Sequence, residues 1–294
     1  KLHRETGSVI SYQYNANDPT SIASNTVKTV YRDSKGVLWV GTDNGLCRLL
    51  KEENGKASFK TYRNNPNNSN SLSNNSIVTL MEDHEGRLWI GTWGDGVNRY
   101  NRDTDSFEKM NKETAIDGVK LLDSQVQFLL LDSKNTLWIG SVDLDTLNLS
   151  TGLTGNFGQS SVYQENRQNT RPICILEDKN GVIWIGTGHG ILSYNRKTTF
   201  FESYTAETHG LASNIIQAIE MDDTGVLWAS TDKGISRFDI AKGKVHNFDE
   251  SDGLQPSEFN NMASFKNDQG EVFFGGLHGL NVFHPSQLVL NDTK

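Results

Sequence analysis

The chain has 294 residues and a formal net charge of −8 at pH 7, with 27 glycines but only 5 prolines. An acidic chain without a run of Lys or Arg argues against a nucleic-acid partner, and no stretch approaches the roughly 18 apolar residues of a membrane helix. The apolar residues fall in short groups separated by Gly, Asn, Asp and Ser, which is typical of many short strands joined by tight turns.

The first predicted element is a strand near residues 9–14, Val-Ile-Ser-Tyr-Gln-Tyr. It reads as the last strand of a repeat whose earlier strands are not in the chain. We therefore expect the chain to be a piece of a longer protein. Whether a leader sequence precedes this piece then stays open.

Six copies of one repeat follow, each centred on an aromatic residue in a short apolar strand. Successive centres are 50, 49, 46, 44 and 45 residues apart. The centres are Trp39, Trp89, Trp138, Trp184, Trp228 and Phe273. Each copy reads as four short strands, A to D, with the aromatic residue in strand B. Four antiparallel strands at this period are typical of a β-propeller, so we predict a single all-β domain over 1–294, with the tryptophans packed between blades.

Polar residues at fixed positions mark the turn between strands A and B. An Asp lies six residues before each Trp and a Gly three residues before, except that the third copy has Asn135. Asp can accept hydrogen bonds from its own turn, and Gly or Asn tolerates a positive φ. We therefore interpret the aspartates as structural and not as catalytic or metal-binding groups. Cys47 and Cys174 lie at non-equivalent positions and are expected to be free and buried.

The last copy ends at its third strand, near residues 280–283. A propeller must join its first and last blades to avoid open sheet edges. The strand near 9–14 can supply the missing fourth strand, which gives six blades. A seventh blade is possible if sequence is missing upstream.

A ligand site is expected where the B–C turns and the D–A connections emerge, because sites concentrate on loops held by a rigid scaffold. Trp93 lies outside the repeating Trp positions, in a turn beside Asp95. Such a ring suits stacking on the C–H face of a sugar, with polar neighbours for its hydroxyls; packing against a neighbouring blade or domain is the alternative. The other turn candidates are Asp43, Asn44, His189, Lys233 and His278.

Arg171 is the one charged residue among six equivalent positions at the start of strand A. It could bind a carboxylate or sulfate bidentately, or form a salt bridge to a neighbouring blade. His189 and His278 occupy equivalent turns, but nothing in their spacing predicts a metal or an acid–base pair. We predict neither a metal nor a cofactor.

The segments 72–100 and 211–238 resemble the two-component regulator propeller repeat, and the last copy, from Gly253 to Pro285, resembles the terminal repeat of such sensors. This resemblance implies a periplasmic piece of a Bacteroides-type hybrid sensor histidine kinase that detects glycan-derived oligosaccharides. It further implies a neighbouring propeller and an immunoglobulin-like domain in the same receptor, and a homodimer.

The favoured function is thus a non-enzymatic sensing module. One alternative is a propeller for protein interaction or dimerisation with no ligand of its own. A less favoured alternative is a lyase or hydrolase, since the blades also resemble those of streptogramin-type lyases, with His189 and His278 as the available histidines.

Overall fold

A computed structural model describes residues 1–116, 121, 123–160, 163–165, 171–256 and 258–288. These residues form antiparallel sheets, short α-helical segments at Ala206–His209 and at 163–165, and short 3₁₀ helices. The 3₁₀ helices are Phe157–Gln159, Glu250–Asp252 and Pro285–Gln287. In the described part of the chain, no helix is both long and apolar enough to span a membrane.

The fold is a six-bladed β-propeller, as predicted, and each sheet is one blade with its strands in chain order. Strands A to D of blade 1 are β1 (Val27–Arg32), β2 (Leu38–Thr42), β3 (Gly45–Glu53) and β4 (Lys56–Tyr62). Those of blade 2 are β5 (Ile77–Glu82), β6 (Leu88–Thr92), β7 (Val97–Asn101) and β8 (Ser106–Met110). Those of blade 3 are β9 (Phe128–Leu131), β10 (Thr136–Gly140), β11 (Leu144–Asn148) and β12 (Thr154–Asn156).

The remaining blades repeat this plan. Blade 4 has β13 (Pro172–Glu177), β14 (Ile183–Thr187), β15 (Gly190–Asn195) and β16 (Phe200–Tyr204). Blade 5 has β17 (Ile216–Met221), β18 (Leu227–Thr231), β19 (Gly234–Asp239) and β20 (Lys244–Phe248). The described strands of blade 6 are β21 (Phe259–Lys266), β22 (Val272–Gly276) and β23 (Gly279–Phe283). The chain divides into two compact units, Lys1–Gly155 and Asn156–Lys294.

The A–B turns have the predicted chemistry. In blade 1, Asp33 Oδ1 accepts hydrogen bonds from the backbone N–H groups of Lys35 (3.0 Å) and Val37 (2.8 Å). Gly36 has φ 79° and its counterpart Asn135 has φ 58°, in the left-handed region that both residues tolerate. The structure adds a bond that we did not predict. Asp33 Oδ2 accepts the indole N–H of Trp39 at 2.8 Å, and four further blades have the same Trp–Asp pair.

The hydrophobic core lies between adjacent blades, as predicted for the tryptophans. The five repeat tryptophans are at most 3% exposed. Trp39 of blade 1 packs with Tyr62 and with Tyr100 of blade 2, its ring centroids lying 6.0 and 5.1 Å from theirs. Burying such rings is the main favourable term that holds each blade to the next. Cys47 and Cys174 are free and buried, also as predicted.

The N-terminal segment lies against blade 1 and belongs to none of the named sheets. Val9 forms an isolated bridge with Leu2. The Tyr12 hydroxyl donates a hydrogen bond to Glu52 at 2.8 Å, and its ring meets Phe59 edge-on at 6.3 Å. Closure of the last blade by residues 9–14 stays a prediction.

Candidate functional site

The B–C turns hydrogen-bond to the chain that leads into strand A of the same or the next blade. In blade 1, the backbone N–H of Asp43 donates to Thr26 O at 3.2 Å, and that of Gly45 donates to Asn75 O at 2.7 Å. In blade 4, the N–H of Gly190 donates to Asn214 O at 2.7 Å. The two groups of loops thus share one end of the blades, where we predicted the ligand site.

Trp93 lies in the B–C turn of blade 2, and its side chain is 44% exposed. Its backbone is fixed, because its N–H donates to Ser76 O at 2.9 Å and it bridges Gln125. The turn continues through Gly94 (φ 130°) and Gly96 (φ 75°). A Cβ on Gly96 would lie 2.2 Å from Met110 O, so only glycine fits there. The ring is therefore held on a rigid turn with an open face.

Polar residues flank the turn that carries Trp93. Asp95 follows it in the same turn and is partly exposed. Asn74 Nδ2 lies 3.4 Å from the position that a Cβ on Gly94 would take. The N–H of Gly96 donates to Ser124 O at 2.8 Å, which places the connection from blade 2 to blade 3 beside the turn. An exposed indole with carboxylate and amide groups nearby is the arrangement predicted for a sugar. Asn74 and Ser124 were missed, because their residue types are ordinary for loops.

The Asp43–Asn44 turn of blade 1 is built more tightly. The N–H of Asn44 donates to Thr42 Oγ1 at 3.1 Å, and Asn44 Nδ2 donates to Ala23 O at 3.4 Å. Arg63 Nε donates to Asn44 O at 3.0 Å. Asn44 is thus engaged in holding its own turn, although both Asp43 and Asn44 are exposed.

The second unit carries the other turn candidates, and His189 is partly buried there. It lies near Glu207, whose carboxylate accepts hydrogen bonds from Asn214 Nδ2 at 3.0 and 3.1 Å. The bond from Asn214 lowers the pKa of Glu207, and the charge of His189 adds to this effect. Glu207 and Asn214 are residues that the sequence reasoning missed.

Lys233 is exposed in the B–C turn of blade 5, and its backbone N–H donates to Thr231 Oγ1 at 3.0 Å. Beside it, Asp232 Oδ1 is buried and has no hydrogen-bond partner among the described residues. A buried carboxylate oxygen without a hydrogen-bond donor is costly.

His278 is exposed in the B–C turn of blade 6. The side chain of Gln255 lies behind that turn, and within the described ranges its amide atoms and Asn281 Nδ2 are buried without partners. Arg171 is exposed directly before β13. Among the described residues, no group of three or more His, Cys, Asp or Glu side chains is placed to hold a metal ion.

Comparison with known proteins gives this arrangement a context. The family described as two component regulator propeller matches residues 21–44, 71–94 and 166–189. The matched segment 71–94 contains Trp93 in its B–C turn, so the candidate residue Trp93 lies within a segment that is similar to this family.

A curated relative, histidine kinase P4 of Formosa agariphila, is 26% identical over 300 residues, covering 98% of this chain and 22% of that protein. The chain thus spans about a fifth of that relative's length. The extracellular domain of a hybrid two-component system from B. thetaiotaomicron is similar in fold, with 23% identity and a TM-score of 0.60, over 91% of this chain and 40% of that one.

Virginiamycin B lyase from Staphylococcus aureus, solved with quinupristin as an inactive variant, also shares the fold. It is 17% identical with a TM-score of 0.64, over 90% of this chain and 80% of the lyase. At such identity the likeness concerns the fold alone. The curated relative and the three matched segments together support a sensor propeller.

Proposed function

We propose that this propeller is part of the extracytoplasmic sensor region of a hybrid two-component histidine kinase, and that it binds a glycan-derived oligosaccharide at the turn that carries Trp93. The observation that carries the proposal is an exposed tryptophan on a hydrogen-bonded turn that also carries Asp95 and is flanked by Asn74 and Gln125. The family repeats and the similar extracellular domains support the sensing role.

The chemistry of this turn suits a sugar better than an apolar ligand. The C–H face of a pyranose can cover the indole ring, while carboxylate and amide groups accept and donate hydrogen bonds at the rim. Because the backbone of the turn is already bonded to Ser76 and Ser124, binding orders few groups and costs little entropy. The sugar would thus meet a site that is formed before it arrives.

The same proposal places the chain in a larger receptor. The curated relative is several times longer than the segment that it shares with this chain. We propose a neighbouring propeller, an immunoglobulin-like domain and a homodimeric receptor as its partners, with the ligand changing the arrangement of domains and not undergoing reaction. A periplasmic location follows from that role.

Calorimetric titration of the protein with a panel of oligosaccharides derived from complex glycans tests the proposal. We expect saturable binding by the wild type. Trp93→Ala should weaken it by about two- to tenfold, since stacking on an aromatic ring is worth about 0.5–1.5 kcal/mol. Trp93→Phe keeps a ring and should retain most of the affinity.

Phe200→Ala is the matched control, because Phe200 is also an exposed aromatic residue, 60% exposed, but belongs to strand D of blade 4 and not to a B–C turn. It should leave the affinity unchanged. Binding that survives Trp93→Ala would place the ligand elsewhere. Consumption of the sugar during the titration would contradict the sensing role and favour an enzyme.

A further inference from the structure

Arg102 fills the crevice between blades 1 and 2 at the end of the blades that carries the A–B turns. Its Nη1 lies 2.9 Å from Asp33 Oδ2, and its Nη2 lies 2.9 Å from Glu82 Oε1. Its Nε donates to Gly86 O at 3.1 Å. The side chain of Asp33 is 0% exposed and that of Glu82 is 7% exposed. The crevice between these blades is therefore a formed guanidinium site that the chain itself occupies.

The strand register identifies the same position in blade 5. Tyr100 pairs with Leu88 in blade 2, and Phe238 pairs with Leu227 in blade 5. Arg102 lies two residues after Tyr100, and Ile240 lies two residues after Phe238, so Arg102 corresponds to Ile240. Glu82 pairs with Leu88 in blade 2, and Met221 pairs with Leu227 in blade 5. Glu82 therefore corresponds to Met221. Blade 5 thus lacks both the arginine and its carboxylate partner.

The consequence is an open crevice between blades 4 and 5, with a volume of about 660 Å³. We call it the blade 4–5 crevice. Its lining includes Asp178, Glu220, Met221, Ile240 and Lys266. Asp178 takes the place that Asp33 has between blades 1 and 2, since both residues precede the tryptophan of their blade by six. All of these residues belong to the second unit.

Asp178 is less satisfied than its counterparts. Its Oδ1 accepts the N–H groups of Asn180 at 2.8 Å and Val182 at 2.9 Å. Its Oδ2 is 3.3 Å from the indole nitrogen of Trp184, whereas the other four Trp–Asp pairs lie at 2.5–2.9 Å. Asp178 is also partly exposed, whereas its counterparts in blades 1, 2, 3 and 5 are buried.

The crevice has an excess of negative charge. Five acidic and two basic side chains line it. Lys266 Nζ forms an ion pair with Asp223 Oδ1 at 2.6 Å. Lys179 Nζ lies 3.6 Å from the position that a Cβ on Gly225 would take. Burial raises the pKa of Glu220, against the opposing effects of a hydrogen bond to Ser264 and the charge of Lys266. A further cation in the crevice would stabilise the ionised forms of the Glu220 and Asp178 carboxyl groups.

We propose that the blade 4–5 crevice binds the guanidinium group of an arginine side chain from another polypeptide segment, inserted as Arg102 is inserted between blades 1 and 2. The guanidinium donates to Asp178 Oδ2, which a planar group with several N–H donors is suited to do. The side chains of Met221 and Ile240 pack along the methylene stem of that arginine. This site is independent of the oligosaccharide site at Trp93.

The test uses Nα-acetyl-L-arginine amide as the probe and Nα-acetyl-L-citrulline amide as a neutral analogue of the same shape. Binding is followed by two-dimensional NMR of the ¹⁵N-labelled protein. We expect saturable shifts in the A–B turns of blades 4 and 5 with the arginine probe. The citrulline probe should bind at least about tenfold more weakly, because it lacks the charge-assisted hydrogen bond.

Ile240→Arg supplies the missing side chain from within. It should reduce binding of the arginine probe at least about tenfold, whereas Ile240→Gln, which is polar but uncharged, should leave binding in place. Asp178 itself is left unchanged because it holds its own turn. Equal binding of the two probes, undiminished binding to Ile240→Arg, or no saturable binding of the arginine probe would each overturn the proposal.

Discussion

The Trp–Asp pair is the residue-scale unit of this fold. A buried indole N–H needs an acceptor, and the turn aspartate supplies one while its other oxygen holds the A–B turn. Blade 6 shows the alternative, because Phe273 has no N–H and Asn267 replaces the aspartate. Asn267 Oδ1 still accepts the N–H groups of Gln269 and Glu271 at 3.0 and 2.9 Å. The turn function and the indole function are thus separable.

A double-mutant cycle in blade 2 measures this coupling. Asp83→Asn and Trp89→Phe should each destabilise the protein, the first by roughly 2 kcal/mol through loss of a charge-assisted acceptor. The double variant, which copies the pair of blade 6, should be more stable than the sum of the two predicts, by about 1 kcal/mol. Urea denaturation measures all three variants. Strictly additive effects would mean that the indole bond at 2.7 Å contributes nothing.

Asp105 should make stability depend on acid pH. Burial acts to raise its pKa, but hydrogen bonds from Lys60, Tyr100 and Tyr62 outweigh that effect and lower the pKa to about 2. The pKa of an unfolded Asp is about 3.9. This contribution to stability is therefore complete above about pH 4 and is lost as pH falls towards 2. Denaturation midpoints measured between those pH values should fall less steeply for Asp105→Asn than for the wild type.

Asparagine suits this substitution because residue 105 has φ 52°, which Asn tolerates. Asp103→Asn is the matched control, since Asp103 is exposed in the same turn. It should retain the wild-type slope. If the pH dependence of the denaturation midpoint changed equally in both variants, it would not arise from Asp105.

At the scale of the strand, one glycine in strand B sets how closely adjacent blades approach. A Cβ on Gly186 of β14 would lie 2.5 Å from Cys174 Sγ and 2.7 Å from Ile216 Cγ2. Blade 5 has Ser230 at this position, and its strand-A partner is the small residue Ala218. The strand therefore tolerates a side chain only where its neighbour is small.

Gly186→Ala should consequently cost roughly 1–3 kcal/mol through overpacking. Adding Cys174→Ala should recover part of that loss, because blade 5 combines a side chain at this position, Ser230, with alanine as its strand-A partner, Ala218. Gly275→Ala is the matched control in blade 6, where a Cβ would meet Ala263 Cβ at 3.3 Å, and it should cost less. Thermal unfolding of the variants provides the comparison, and equal losses for Gly186→Ala and Gly275→Ala would contradict the argument.

The repeats explain why much of these elements was predictable. Period, aromatic centres and turn glycines depend on residues close in sequence, so strand order and turn chemistry followed from the chain alone. The contents of the crevices depend on residues in different blades. These contents can be predicted only by comparing the copies of the repeat, in which Arg102 of blade 2 and Arg196 of blade 4 correspond to Ile240 of blade 5. The positive φ of Met262 in β21, 58°, could not be predicted from such a comparison.

At the scale of the whole molecule, the N-terminal segment sits on blade 1 as strand D of a preceding blade would. Tyr62 of β4 meets Phe107 of blade 2 edge-on at 5.3 Å, and its hydroxyl donates to Asp105 at 2.6 Å. Tyr12 makes the matching contacts with Phe59 and Glu52. This correspondence supports the prediction that residues 9–14 complete blade 6.

Transferring the register of β3 and β4 to blade 6 predicts which residues face each other. Arg48 pairs with Lys60 in blade 1, and the corresponding residues are Val282 and Ile10. We predict that Ile10→Cys with Val282→Cys forms a disulfide under mild oxidation, because directly paired strand residues bring their Cβ atoms within reach. Tyr14→Cys with Val282→Cys is out of register and should remain reduced. Mass spectrometry distinguishes the two, and a reduced in-register pair would contradict closure.

The candidate site was predictable in part. Trp93 was found because it breaks the tryptophan spacing, and its exposure agrees with a role at the surface. Six of the other candidates were chosen by their place in a B–C turn, and Arg171 was chosen as the one charged residue at the start of strand A. These positions predict the end of the blade on which a residue lies, but not the side chains that lie near it. His189, for example, lies beside Glu207 and Asn214, and these residues come from a later connection in the chain.

Acrylamide quenching of tryptophan fluorescence tests the central claim most directly. Trp93 is 44% exposed, whereas the other five tryptophans are at most 3% exposed, so quenching reports on Trp93. An oligosaccharide that saturates the protein should protect this fluorescence, and Trp93→Phe should abolish the quenchable part. An oligosaccharide that binds by calorimetry while Trp93 stays fully quenchable would show that the ligand does not stack on this ring, and would contradict the account.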